Sequence, residues 1–257
     1  MNKNWIKIAS VYIGTVIGAG FASGREILEF FGVYGIKGIF GIIVSGLLFS
    51  ILGSLFLLKI YKYRINGLNE LVGTIFGHRF SFVLDTIIGL SLYTGYSVML
   101  SGSGAIFKEE LGLSFNLGII VMVLFTFIVF LFKLEGLSII NTILVPILII
   151  GILFTSIYLN TREGFNISNI EGVRLTAKGN FISSSLLYFG SNSLIIIIVF
   201  SSLLPLVKDK KTAILGWAIG GFILLLLGIS ILLSMLIYYN EVANLEIPML
   251  KICGSIN

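Results

Sequence analysis

The stretch Tyr12-Ile13-Gly14-Thr15-Val16-Ile17-Gly18-Ala19-Gly20-Phe21-Ala22-Ser23-Gly24-Arg25-Glu26 sets two glycines, Gly18 and Gly20, in the middle of an apolar run. Each glycine costs a helix about 1 kcal/mol relative to alanine, so Gly18-Ala19-Gly20 is a natural place for a helix to break. Ser23-Gly24-Arg25-Glu26 then has the spacing of a capping box, in which the serine hydroxyl accepts from the N3 amide and the glutamate reaches back to the cap amide. A helix start inside an apolar run serves no purpose in a continuous helix. The chemistry of such a break is binding. Free N–H groups at the start of the second half suit a carboxylate, and carbonyls freed at the end of the first suit Na⁺ or another cation. Gly18, Ala19, Gly20, Phe21, Ala22 and Ser23 are therefore candidate solute-binding residues. The competing reading is close helix packing, with Gly14 and Gly18 as a small-xxx-small pair.

Two further segments join this site. Tyr188-Phe189-Gly190-Ser191-Asn192-Ser193 interrupts the apolar run from Phe181 to Leu206, and Gly190, Ser191 and Asn192 have low helix propensity. Paired interruptions in two halves of a chain point to a transporter site between inverted repeats, which predicts a second break here and adds Tyr188, Gly190, Ser191 and Asn192. The alternative is that Ser and Asn bond a neighbouring helix. Asp85, Gly89, Tyr93, Tyr96 and Leu100 recur at three- and four-residue intervals on one helix face and supply a third wall. Intramembrane carboxylates usually face a cavity or a partner, so Asp85 is a candidate for ion or proton coupling, against a bland role near the headgroups. Tyr93 or Tyr96 would direct a hydroxyl at a bound carboxylate, unless both serve interhelical bonding. Arg25 and Glu29 stand four apart and pair along a solvated helix end.

The elements that must position these residues are membrane helices. Of 257 residues, 57% are hydrophobic and 11% charged, where a soluble domain carries roughly a quarter charged. Seven apolar runs exceed or approach the span length of about 18 residues. They cover Trp5 to Phe31, Gly38 to Ile60, Phe80 to Phe107, Leu117 to Phe132, Leu137 to Leu159, Phe181 to Leu206 and Thr212 to Tyr239. Runs such as Leu194 to Phe200 do not alternate, which excludes barrel strands. The fold class is all-α integral membrane, with about seven transmembrane helices, the first and sixth discontinuous, in a single domain over residues 1–257. After Tyr239 the chain reaches Ile247-Pro248-Met249-Leu250, which reads as another helix entry with Pro in its first turn.

Lys and Arg counted by alternate side number ten with the amino terminus and seven opposite, and the dense connections are the second (Lys59, Lys62, Arg64, Arg79) and the sixth (Lys208, Lys210, Lys211). That places the amino terminus on the cytoplasmic side of the membrane. The net charge of +5 belongs to these connections and does not imply nucleic acid. Cys253 is the single cysteine and His78 the single histidine, so neither a disulfide nor a Cys/His metal site is expected. Lys3 and Lys7 before an apolar stretch imitate a signal peptide, but cleavage near Ala22-Ser23 would discard the most distinctive segment.

The run from Tyr12 to Ile27 resembles the first-helix signature of the YkvI family of bacterial membrane proteins. Met99-Leu100-Ser101-Gly102-Ser103-Gly104-Ala105 and Glu246-Ile247-Pro248-Met249-Leu250 are similar to its later signatures. The resemblance implies the amino acid/polyamine/organocation transporter group and a LeuT-like fold of five plus five inverted repeats. Residues 1–160 would then form the first repeat and 180–257 part of the second, and spans eight to ten would be missing from a truncated chain. In sodium-coupled members of that fold one cation site lies between the first and eighth helices, so the Gly18 and Phe21 carbonyls would hold half of it. Arg25 departs from the neutral amide expected there.

The expected function is secondary transport of a small solute such as an amino acid, with alternating access around the breaks. A solute-sensing receptor subunit without transport is the rival from another class. A membrane enzyme is disfavoured, since the chain offers no intramembrane metal cluster and no paired catalytic acid. No cofactor is expected, Na⁺ or H⁺ coupling stays open, the partners are the solute and the lipid bilayer, and oligomeric state is not legible.

Overall fold

Apolar runs end where a polar side chain or an unusual backbone turn closes the helix. The computed structural model describes residues 4–65, 70, 78–163, 179–207, 209–245 and 247–254, without the side chains of Ala19, residues 78–81, Leu84, Asp85, Glu163 and Leu194. Every regular element among the described residues is helical. The first run is divided into α1 (Asn4–Val16), a single turn α2 (Ala19–Ala22) and α3 (Arg25–Phe30), followed by a 3₁₀ turn at Gly32–Tyr34. The long helices are α4 (Lys37–Tyr63), α5 (His78–Glu109), α6 (Phe115–Leu131), α7 (Lys133–Glu163), α8 (Phe181–Ser201) and α9 (Lys210–Ile237). Two short helices close the described chain, α10 (Tyr239–Val242) and α11 (Pro248–Gly254), the latter opening on Pro248 as its sequence predicts.

The caps follow from the side chains available. Ser114 accepts from Leu117 N–H at the start of α6, Asn180 from Ile182 N–H at the start of α8, and Asp209 from Thr212 N–H at the start of α9. Arg64, left-handed at φ 55, closes α4 with its N–H on the Ile60 carbonyl. Lys133, at φ 51, turns the chain directly from α6 into α7. By length and composition α4, α7, α8 and α9 suffice to cross a membrane, and α6 is a shorter apolar helix of 17 residues.

α9 sits at the centre, packed by α1, α4 and α7, while α8 lies on α4, and α5 pairs with α6, which reaches α7. In lipid, helices are held by close packing and interhelical hydrogen bonds, because the surrounding tails are as apolar as the side chains. Glycines provide that closeness. Gly216 faces Ile8, Gly220 the Tyr12 ring, Gly221 Ser50, and Gly53 the Trp217 indole. Trp217 stacks on Tyr12 with ring centroids 3.9 Å apart and donates its Nε1–H to the Phe49 carbonyl at 2.6 Å. Outward faces of α5, α6 and α7 carry exposed Phe82, Phe127, Phe130 and Phe154, as a lipid solvent allows.

Candidate functional site

α1 stops at Val16. The Ile17 amide still bonds the Ile13 carbonyl at 2.8 Å, but the Gly18 amide turns onto Val16 at 2.9 Å, and α2 restarts with Ala22 N–H on the Gly18 carbonyl at 3.0 Å. A second interruption follows at Ser23-Gly24, where Gly24 takes φ 79, a left-handed conformation that only glycine adopts without strain. The first span is therefore broken, but at Ile17-Gly18 and Ser23-Gly24. Ala19 and Gly20 lie in the helical turn between, and the side chain of Ala19 is not among those described. The capping box is not formed. With Gly24 at the cap, Ser23 Oγ donates to the Gly20 carbonyl at 3.1 Å and accepts from Arg25 N–H at 3.3 Å. The Glu26 carboxylate lies instead against Gly20, where an added Cβ would collide with it.

Gly14 and Gly18 separate the two readings of the glycines. Gly14 is pressed against Asn141 of α7 and serves packing. At Gly18 a Cβ would meet only the Met99 methyl of α5, at 3.8 Å, so Gly18 serves the break.

Behind the break lies a cavity between four spans, lined by Phe21 and Ile27, by Ser45 and Phe49 of α4, by Tyr188 of α8 and by Leu224 of α9. It holds water-sized guests only. Tyr188 is 3% exposed, and its ring meets Phe31 and Phe49 edge-on with centroids at 5.2 and 5.9 Å. The Tyr188 and Tyr12 hydroxyls are buried without a partner among the described residues. Orphaned hydroxyls of this kind call for an explanation, since nearly all buried polar groups are paired.

The predicted break in span six is absent. α8 runs unbroken through Gly190, Ser191 and Asn192, because the polar side chains are satisfied within the helix. Ser191 Oγ and Asn192 Nδ2 donate to the Tyr188 carbonyl at 3.0 and 3.1 Å, and Ser193 Oγ to Phe189. The helical period also divides the predicted residues. Tyr188 faces the core and Asn192 is half-buried on the same side, whereas Gly190 and Ser191 are exposed. Span three does not form the third wall with its tyrosines. Tyr93 is 71% exposed, and the Tyr96 hydroxyl bonds Thr126 of α6 at 2.9 Å, the interhelical alternative. Met99 of α5 reaches the break, and the Asp85 side chain lies outside the described residues. The walls come from α4 and α9, whose small-residue rows Gly46, Ser50, Gly53 and Gly216, Gly220, Gly228 were the available signal.

Known proteins supply a second line of observation. No family model matches the chain, and no solved structure matches it. Over 144 residues it is 39% identical to the uncharacterized membrane protein YkvI of Bacillus subtilis, a stretch covering 56% of this chain and 42% of the relative. This likeness agrees with the resemblance read from the first-helix segment. Over 146 residues it is 31% identical to the uncharacterized protein YyaD of the same organism, again covering 42% of the relative. The matched stretch thus spans about two fifths of either curated relative. Together with its long apolar helices, the YkvI likeness makes this a membrane protein.

One contact in this YkvI-like chain had no sequence signal. Arg25 pairs with Glu29 at 2.7 Å, as the four-residue spacing predicts, but its Nη1 also donates to the Ala243 and Leu245 carbonyls at 3.0 Å each. The Met249 amide donates to the Ser23 carbonyl at 2.9 Å. Met249 and Ile252 are buried, and the Cys253 thiol lies 3.7 Å from the Thr155 hydroxyl of α7. The segment after α9 is thus clasped to the second break. Arg25 is not the solvated helix end its position suggested.

Proposed function

We propose that this protein is a secondary transporter, or the corresponding part of one, for a small solute such as an amino acid, held at the broken first span. The observation that carries the reading is the break itself. A span unwound at Ile17-Gly18 and Ser23-Gly24, bordering a cavity with the orphaned Tyr188 hydroxyl, presents backbone groups that lipid cannot satisfy. Such backbone is tolerated where it serves a protein-lined site. Similarity to YkvI, itself an uncharacterized membrane protein, agrees with the membrane setting and leaves the solute open. The LeuT-like arrangement belongs to this proposal, with one discontinuous span in place of two. Coupling to Na⁺ or H⁺ belongs to it also, through the Gly18 and Phe21 carbonyls or Asp85. Because the cavity admits only water-sized guests, entry of a whole solute requires α2 and α3 to move against α4 and α8.

Gly20→Leu tests the reading. The added side chain displaces Glu26 and fills the break, so accumulation of labelled amino acids in proteoliposomes should fall to background while insertion stays at the wild-type level. A well-inserted variant with unchanged uptake overturns the proposal. Saturable binding without accumulation by the unaltered protein would assign the chain to solute sensing instead.

A further inference from the structure

We infer that the carboxyl end of α4 and the amino end of α9 together form a docking surface for the headgroup of an anionic phospholipid. Lys59, Lys62, Arg64, Lys210 and Lys211 carry it, and it is independent of the solute reading above. Met235 of α9 meets Gly24 at the broken span, so Lys210 stands about 37 Å from there along the same helix.

Two connections far apart in the chain are brought to one place. α4 and α9 pack antiparallel: Gly53 faces the Trp217 indole, Gly46 faces Leu225 and Gly228 faces Ile42. Lys59 lies six residues beyond Gly53 and Lys211 six before Trp217, so both stand about 9 Å further toward the same end. α1 starts there too, with Asn4 Nδ2 donating to the Leu206 carbonyl at 3.0 Å and the Trp5 carbonyl beside Gly216. All five cations are exposed, and none has an ion pair among the described residues.

Helix electrostatics distinguishes the two halves of the cluster. Lys62 and Arg64 close α4, where a cation complements the negative end of the helix dipole. Lys210 and Lys211 open α9, where the dipole is positive and cations are disfavoured. The adjoining carboxylate, Asp209, is already engaged at the cap, accepting from Thr212 N–H at 2.6 Å. The start of α9 therefore gathers positive charge that Asp209 alone does not balance, beside three more cations from α4. A phosphate with net negative charge supplies the balance, since its oxygens accept from several cationic donors at once.

The neighbouring side chains favour a lipid over a soluble anion. Lys62 Nζ lies 5.5 Å from the Tyr63 ring centre and the Arg64 guanidinium 5.3 Å from that of Tyr61, while Tyr63 is 62% exposed. Tyrosines at the ends of membrane helices sit at headgroup level, which puts the cations beside them at the depth of lipid phosphates. On the inward side, exposed Leu52 and Leu55 of α4 and Ile214 and Leu215 of α9 offer apolar contact to the acyl chains of the same lipid.

The test uses the full chain purified in a nonionic detergent and titrated with short-chain phosphatidylglycerol, phosphatidylcholine of the same chain length, or inorganic phosphate. Thermal unfolding is the readout. Phosphatidylglycerol should protect saturably, the other two should not, and high salt should weaken the protection several-fold. Lys210→Gln with Lys211→Gln, and Lys62→Gln with Arg64→Gln, should each weaken the apparent affinity about tenfold or more. Lys210→Arg with Lys211→Arg should retain it, which separates lost charge from lost fold. Lys37→Gln with Lys251→Gln removes two cations from the opposite end and should change nothing. Equal protection by phosphatidylcholine, unchanged affinity in either of the first two double variants, or an equal loss in the Lys37 and Lys251 variant overturns the inference. Equal protection by inorganic phosphate also overturns it, because the surface would then be a site for a soluble anion.

Discussion

Gly24 and Gly190 look alike in the sequence, as glycines within apolar spans, and they behave oppositely. Gly24 sits at φ 79 with Met235 and Met249 against the place a Cβ would occupy. Gly24→Ala should cost about 1–3 kcal/mol through its left-handed backbone, with the methionine clash added, read as a lowered unfolding temperature in detergent. Gly190 is in an unbroken helix with nothing within 4 Å of an added Cβ. Gly190→Ala should stabilise by about 0.5–1 kcal/mol in the same assay. A destabilised Gly190→Ala would restore the idea of a functional break in span six. Glu26 shows the same limit of local reading. Its spacing from Ser23 matches a capping box, yet the left-handed turn at Gly24 moves the cap by one residue and releases the carboxylate toward Gly20.

At the level of elements, the break is held by contacts that arrive from far along the chain. Arg25 binds two carbonyls in the turn after α10, and Ser23 receives an amide from α11. Arg25→Met should loosen residues 239–254 while leaving α4 and α9 intact, seen as faster amide exchange confined to that segment. Equal protection there in both proteins would show the clasp to be unimportant. The α4–α9 seam depends on absence of side chains. Gly53→Val drives a side chain into the Trp217 indole and should cost about 1–3 kcal/mol by overpacking, measured by thermal unfolding.

For the whole molecule, α9 is the axis on which the spans assemble, and its start is capped by Asp209. The Thr212 N–H, donating at 2.6 Å, holds the Asp209 carboxyl below its usual range. A depressed folded value means that the cap contributes fully above the ordinary carboxylate range and is lost as pH falls through the depressed value. Asp209→Asn should remain folded at pH 7, since Asn also caps well, and should lack this part of the acid destabilisation. Thermal unfolding at pH 7 and near pH 3 checks both, and an identical acid response in the two proteins would exclude Asp209 as a contributor.

Hydropathy and glycine spacing by themselves determined a membrane protein, the positions of the long helices to within about five residues, a first span that breaks, and the Pro248 helix start. These are properties of local backbone preference and of the solvent a segment can tolerate, and both are written within a few residues. Which polar groups are left without partners is a different kind of quantity. Ser191 and Asn192 look like a break until their bonds to the preceding turn are seen, and Tyr96 looks like a site until Thr126 is seen beside it. The exposed face of Tyr93, the cavity walls on α4 and α9, the clasp of Arg25 and the placement of Glu26 against Gly20 were decided by tertiary structure alone. The reason is physical: hydrogen bonds and charges are satisfied across space by whichever chain segment packs there, and no local pattern records which segment that will be.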